Sequence, residues 1–492
     1  MELDERRVSQ IVERVVRELA TGSGASAGSG ASAGSAGSAS APTNGKAAPV
    51  PVPPAAVGGN SGVHNSPDEA IAAAERAYAE LTDGGVALRR VVVEAIRACA
   101  LKNAAEWGQH ARQETEMGRA ADKKLKNEAV AKGSPGVEDL EQRLLKGDRG
   151  RHIIEGVPWG VICSITPSTN PTATPINNSI TMVAAGNAVV FCPHPGAKHC
   201  TTNTIVGLNE AIVAAGGPRN LLNTVANPDM KSGLAIMNHE RIRIIAATGG
   251  PGVVRAAFEA KKKVFAAGPG NPPTLVDASA DVARAGWATV ASSAFDNNLP
   301  CTADKVGICE SRVLDDYLAA LVQNGAQLVS AGDMDRLLPV MLDGDKIRRE
   351  AIGQDASELL RRAGLPTRGE PRLLVAVLPD DHPMVVHEQM MPFLPVVRVR
   401  DFDEGLRVAK NVEHGFGHTS CLHSRNTDNI SRYAGAMATT ITVINGPTYA
   451  FSGDQGEGWA TMTVTTPTGE GVSSPRTWQR KRHLVFSDTL VG

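Results

Sequence analysis

Hydrophobic positions first recur at a helical period. Val8, Ile11, Val12, Val15 and Leu19 fall three and four residues apart, so residues 1–20 predict a short amphipathic helix with one apolar stripe. Glu13 and Arg17 stand four apart on its polar side and can pair. The periodicity then stops: after Thr21, every residue to Ser40 is Gly, Ala or Ser, and a Pro-rich stretch follows. A segment this poor in large apolar side chains cannot offset its ordering entropy, so residues 21–66 read as a linker, with a flexible reach of roughly 37 Å. A helix of about 20 residues does not persist alone in water. Its stripe therefore seeks a partner surface; the other reading is a tail whose periodicity carries nothing.

The folded body is expected from Pro67. Ser66-Pro67-Asp68-Glu69 reads as a helix start, and 68–130 as helices. From about 151 the pattern alternates. Apolar runs (GVICSI, NAVVFC, RIRIIAA, KKVFAAG) are separated by helical stretches such as TTNTIVGLNEAIVAAG, which predicts an α/β fold with a parallel sheet and crossover helices. A second series runs from about 281 to 442, with strands KVGICES and RLLVAVL and helices DVARAGWATVASSAF and DYLAALVQNGA.

Composition narrows the class. Of 492 residues, 42% are hydrophobic and 21% charged, enough for ordinary buried cores. Lys+Arg is 50 against Asp+Glu 52, so nothing in the bulk charge attracts nucleic acid or an anionic membrane. No apolar run approaches the ~20 residues of a membrane span, and MELDERRVSQ lacks the apolar core of a secretory signal. Seven cysteines without a CxxC pair argue for a reducing compartment. The expectation is a cytoplasmic enzyme.

Few residues announce chemistry by type and setting. The GxGxxG fingerprint is absent; Thr248-Gly249-Gly250-Pro251-Gly252 follows an apolar strand and opens a helical pattern, so its N–H groups could meet a phosphate, or its glycines serve only a tight turn. Cys301 lies in the polar segment Asn297-Asn298-Leu299-Pro300-Cys301-Thr302. Most lone cysteines are inert core residues, but a loop thiol near a helix end can be activated as thiolate. Cys192, His194, His199 and Cys200 match no standard zinc spacing, so no metal is expected.

The ordered set GVPWGVICSITPSTNP, GNAVVFCPHP, ATGG, AAGPGN, NLPCTADK, FGHTSCLH and TGEGVSSPRTW resembles the CoA-acylating aldehyde dehydrogenases, most closely the acetaldehyde and propionaldehyde dehydrogenases of bacterial microcompartments. The resemblance covers about 67–492. It implies an aldehyde dehydrogenase-like fold: a Rossmann-type NAD-binding domain (67–273), an α/β catalytic domain (274–443) and a C-terminal return (444–492) that joins residues 145–157 in oligomerisation strands. It implies Cys301 as nucleophile and Asn170 as the oxyanion-holding amide beside the Cys301 N–H. His418 matches a histidine proposed near the cysteine, unless its imidazole only caps a turn. Thr166, Pro167, Thr248, Gly249, Gly250 and Gly268 match cofactor-lining positions. Glu388 stands near the place of the acid that holds the nicotinamide ribose, although a gap-free match on Pro395 puts Met391 there.

Two departures from hydrolytic relatives bear on the reaction. Their water-activating glutamate aligns with Ala266, so the acyl-enzyme would await a thiol, and their ribose-holding lysine aligns with Cys192. The resemblance therefore implies NAD-dependent oxidation of a short-chain aldehyde to acyl-CoA, with NAD and coenzyme A. The enzyme would be a homodimer or homotetramer inside a microcompartment, with residues 1–20 as an encapsulation helix that binds a shell protein. The rivals are a hydrolytic aldehyde dehydrogenase, an acyl-phosphate reductase of the same fold, and an inactive shell-docking protein.

Overall fold

The computed structural model describes residues 61–488 together with Arg6, Gln10, Ile11, Glu13 and Arg14. Val8, Val12, Val15 and Leu19 of the expected stripe, Arg17 of its ion pair, and residues 21–60 of the expected linker lie outside the described residues.

The body begins earlier than the sequence suggested. Residues 61–66, read as the end of the linker, carry the strand Val63–His64, which pairs in parallel with Leu222–Val225. Val63 is buried, and His64 Nε2 lies 2.9 Å from Asn223 Oδ1. One β-branched residue and one polar contact, both satisfied only by a strand 159 positions away, escape a composition-based reading. Ser66 then caps helix Pro67–Asp83 by accepting from the Glu69 N–H, as its position predicted. Gly85, in the left-handed region, turns the chain into the long helix Gly85–Thr115, and Ala120–Gly133 follows.

The expected strands form two parallel sheets. The first runs in the order Val63–His64, Leu222–Val225, Ala188–Pro193, Val161–Thr166, Ile242–Thr248, Lys263–Ala267. Ala188–Pro193 and Leu222–Val225 are buried along their whole length and Val161–Thr166 at all but Ile165, which is why the central strands read as continuous apolar runs rather than alternating ones. From Val161–Thr166 the chain goes one way to Ala188–Pro193 and later the other way to Ile242–Thr248, so the strand order reverses between Thr166 and Thr248. A crevice at the carboxyl ends of strands, where their order reverses, is the usual ligand site of such sheets.

Between Ala267 and Pro273 the chain crosses to a second parallel sheet of seven strands, in which Pro273–Val276 lies between Val306–Glu310 and Thr419–His423. Beyond Ile441–Ile444, its last strand, the chain returns to the first unit: Trp478 is buried edge-on to Phe265, and Asn177 receives the Met462 N–H. Strands Gln142–Gly147, Gly150–Pro158 and Gln479–Ser487 form a separate antiparallel arm that leaves Leu144, Leu145, Val485 and Phe486 exposed. No described helix is long and apolar enough to cross a membrane.

Candidate active site

Cys301 follows three consecutive residues in the left-handed region: Asp296, Asn297 and Asn298, with φ of 47°, 55° and 62°. Asn and Asp are the non-glycine residues that adopt this conformation most readily, which explains the Asp-Asn-Asn sequence. Such a run persists only where the surroundings over-determine it. Asp296, fully buried, accepts from Lys126 Nζ at 2.5 Å, Lys123 Nζ at 3.0 Å and the Arg119 N–H at 2.8 Å, while its own N–H donates to Asp122. The amide of Asn297 donates to the Gly353 carbonyl and to Asp355. Asn298 donates to the Asp304 carbonyl and, through its own carbonyl and Oδ1, receives Lys305 Nζ at 2.6 Å twice.

Lys126 also reaches Asn170 Oδ1, at 2.5 Å. An ammonium only donates, so this contact assigns the oxygen end of the Asn170 amide and leaves its NH₂ as the donor. On the other side Gly270 admits no side chain: a Cβ there would lie 2.8 Å from the Cys301 carbonyl oxygen and 3.1 Å from the His418 ring. His418 is buried. Its Nδ1 lies 2.8 Å from Thr419 Oγ1, and Nε2 has no hydrogen-bond partner. Its N–H donates to Glu413. Glu388 accepts from the Gly270 N–H and lies 3.8 Å from Lys305.

Burial governs the protons. It pushes the Cys301 thiol up to about 11, with the Glu388 charge acting the same way and Lys305 and Lys126 against it. Desolvation, and then Lys305, bring His418 down to about 4, so the imidazole is neutral at physiological pH. Burial lowers Lys305 and raises Glu388, each opposed by the other's charge. Asp304, beneath the loop, is raised to about 7 by burial, although Thr274 donates to its carboxylate and Ser292, which accepts the Asp304 N–H, also acts to lower it. In the free protein the proton therefore rests on sulfur.

The crevice of the first sheet lies alongside. Thr166 Oγ1 is buried there without a partner, and Gly250 begins helix Pro251–Glu259 with no side-chain cap; Pro251 carries no N–H and the Val253 and Val254 N–H groups donate to the Gly250 carbonyl, which leaves the Gly252 N–H at the helix start. A cavity of about 610 Å³ extends past Pro251, Val254, Arg255, Phe258, Gly268 and Phe416. A helix start with the Gly252 N–H, its dipole end and an orphaned hydroxyl suit a dinucleotide phosphate and its sugar.

The aldehyde dehydrogenase family pattern matches residues 60–459. The chain belongs to the aldehyde dehydrogenase family. It falls with the CoA-acylating members: it is 45% identical over 444 residues to acetaldehyde dehydrogenase (acetylating) EutE of Salmonella typhimurium, covering 89% of this chain and 95% of that one. The propionaldehyde dehydrogenase from the Clostridium phytofermentans fucose utilisation bacterial microcompartment superimposes with a TM-score of 0.86 at 38% identity, over 87% of this chain and 99% of that one. The Rhodopseudomonas palustris propionaldehyde dehydrogenase, solved with bound CoA and an acylated cysteine, gives 0.86 at 36% identity, over 87% and 98%.

Within this aldehyde dehydrogenase, Cys301, Asn170, His418 and Glu388 converge on one loop. Thr166, Pro167, Thr248, Gly249, Gly250 and Gly268 lie along the crevice beside it. Met391, the other candidate for the acidic position, is wholly buried in an apolar cluster and cannot hold a ribose. Ala266 is also wholly buried. Cys192, His194, His199 and Cys200 do not converge. Cys192 lies 3.7 Å from Cys163, His194 receives the Gly196 N–H, and Cys200 donates to the Ala197 carbonyl. Among the described residues no group of His, Cys, Asp or Glu is arranged to hold a metal.

Lys126, Asp296 and Lys305 were missed, because lysines and an aspartate read as solvent-facing in a sequence. One signal was available: three consecutive Asp/Asn residues before a loop cysteine.

Proposed function

We infer that this enzyme oxidises a short-chain aldehyde to its acyl-CoA through a thioester on Cys301, with NAD and coenzyme A as co-substrates. The observation that carries the acyl transfer to CoA is Ala266, a methyl group sealed in the sheet at the position where a hydrolytic enzyme needs a water-activating carboxylate.

Cys301, its thiol proton passed to water or to the unpartnered Nε2 of His418, attacks the aldehyde carbon as thiolate, and the carbonyl electron pair moves onto oxygen. The Asn170 NH₂, oriented by Lys126 on its oxygen, and the Cys301 N–H hold the developing oxyanion, and such donors act most strongly as charge builds. Lys305 offsets the Glu388 charge that would otherwise disfavour the thiolate. Thr166, Thr248 and the Gly252 N–H at the helix start would hold NAD, which when bound accepts the hydride. The thioester left on Cys301 has no carboxylate at position 266 to activate water against it. The CoA thiol, losing its proton, attacks the acyl carbon; the C–S bond to Cys301 breaks and the enzyme sulfur leaves as thiolate. Neutral His418, packed against Gly270 with Nε2 unpartnered, is positioned to take a proton from an incoming thiol.

The division at about 273 assigns cofactor binding to the first sheet and the nucleophile to the second. The exposed apolar residues of the antiparallel arm support a homo-oligomer, and the apolar stripe of residues 1–20 supports delivery into a microcompartment shell. The decisive experiment follows NADH from propionaldehyde and NAD⁺ with and without CoA. Turnover that requires CoA and yields propionyl-CoA is the expected result; free propionate without CoA would place the enzyme with the hydrolytic members.

A further inference from the structure

The described part of the N-terminal helix does not stand free. Arg6, Gln10 and Glu13 are exposed, whereas Ile11 is only 4% exposed. Ile11 joins the apolar cluster of the second sheet that contains Val276, Leu314, Tyr317 and Leu318. One helical turn on, Arg14 Nη2 donates to the Asp315 carbonyl at 2.9 Å and lies 3.2 Å from Asp316 Oδ1. Both acidic residues sit in the first turn of helix Leu314–Gln323, far in sequence from Arg14. A buried apolar residue and a charged one, three positions apart, thus meet a matching apolar and acidic pair on the catalytic unit.

We propose that the first turn of helix Leu314–Gln323 is a docking site for the chain's own N-terminal helix, and that this contact and capture by a shell exclude each other. The exclusion rests on the reading of residues 1–20 as a delivery helix. Ile11 lies in the middle of the apolar stripe that a shell surface would grip, and it can be buried against only one of them. One isoleucine and one partly exposed ion pair make a small contact, and exposed pairs add little. The linker-like composition after residue 20 keeps the helix at high effective concentration near its own enzyme. Such a contact holds in the free enzyme and yields to a larger apolar surface.

The test is amide hydrogen exchange on the full chain, without shell protein, following residues 6–14 and 314–323. Protection of both segments is expected, independent of enzyme concentration as an intramolecular contact requires. Ile11→Asp and Arg14→Glu should each speed exchange at both segments at least threefold, and Arg14→Glu combined with Asp316→Arg should restore protection. Turnover should not change. Asp316→Arg alone, which leaves residues 1–20 intact, should release the helix and raise capture by purified shells. Exchange of residues 6–14 at the free-peptide rate in the unaltered chain would overturn the docking site, as would protection that survives Ile11→Asp. Protection that responds as expected, with shell capture unaffected by Asp316→Arg, would overturn the exclusion. Loss of shell capture on deleting residues 1–20 tests the delivery reading separately.

Discussion

Two loops of the proposed site are built in opposite ways. The loop before Cys301 is strained, buried and tied by charged groups from distant segments: Asp296 to Lys123 and Lys126, Asn298 to Lys305. The turn from Thr248 to Gly250 is open, with glycines, an uncapped helix start and one hydroxyl contact, Thr248 to Thr463 at 3.3 Å. On the proposed mechanism the Cys301 loop must hold an atom in place while charge develops, and a fixed environment avoids reorganising at that moment. On the same proposal the turn at Thr248–Gly250 must admit and release a large anion, which suits a helix start without a side-chain cap. Rigidity and vacancy are two solutions to two tasks.

The contrast can be broken by substitution. Cys301→Ala should reduce turnover to background and abolish the acyl adduct seen by intact mass, with the circular dichroism spectrum unchanged. Asn170→Ala should lower kcat by about 10²–10³-fold with little change in the KM for NAD, measured by steady-state kinetics. Asp296→Asn leaves two buried ammonium groups without their carboxylate and should cost about 3–5 kcal/mol, read as a lower urea midpoint. Thr248→Ala, in the open turn, should raise the KM for NAD only a few-fold and leave both kcat and the urea midpoint in place. Equal stability losses for the last two variants would erase the difference between the loops.

The proton inventory sharpens the same contrast. With the Cys301 thiol at about 11, its alkylation by iodoacetamide in the free enzyme should rise about tenfold per pH unit through pH 9 without a plateau. Cys301→Ala supplies the background. A plateau near pH 8 would mean that Lys305 outweighs burial and Glu388. His418 acts on stability in the acid range. Its folded value of about 4 lies below the ordinary 6.5, so the unfolded chain binds more protons in between. Stability should fall as pH drops from about 6.5 to 4, and His418→Gln should flatten that part of the urea-midpoint profile.

Much of this was legible in the chain. The runs GVICSI and NAVVFC became strands because stretches buried on both faces must be apolar, and RIRIIAA did so with Arg243 alone turned to the surface within strand Ile242–Thr248. Cys301 stood out because a thiol in a polar, Asn-rich loop is out of place as a core residue. The charged support was not legible. Lys123 and Lys126 lie on a helix that reads as solvated, yet both side chains are buried against Asp296, some 170 positions away. Ile11, placed in a stripe meant for a partner, is covered by its own enzyme.

The sequence by itself determined the order of strands and helices, the candidate nucleophile Cys301 and the absence of a carboxylate at position 266, because periodicity and residue type are local properties. Only the tertiary structure decided which charges face Cys301, that Lys126 takes the oxygen of the Asn170 amide and leaves its NH₂ to donate, that Glu388 rather than Met391 reaches the site, and that residues 61–66 belong to the sheet. Each of these depends on groups far apart in the chain, and their energies are set by burial and contact, which exist only once the fold has formed.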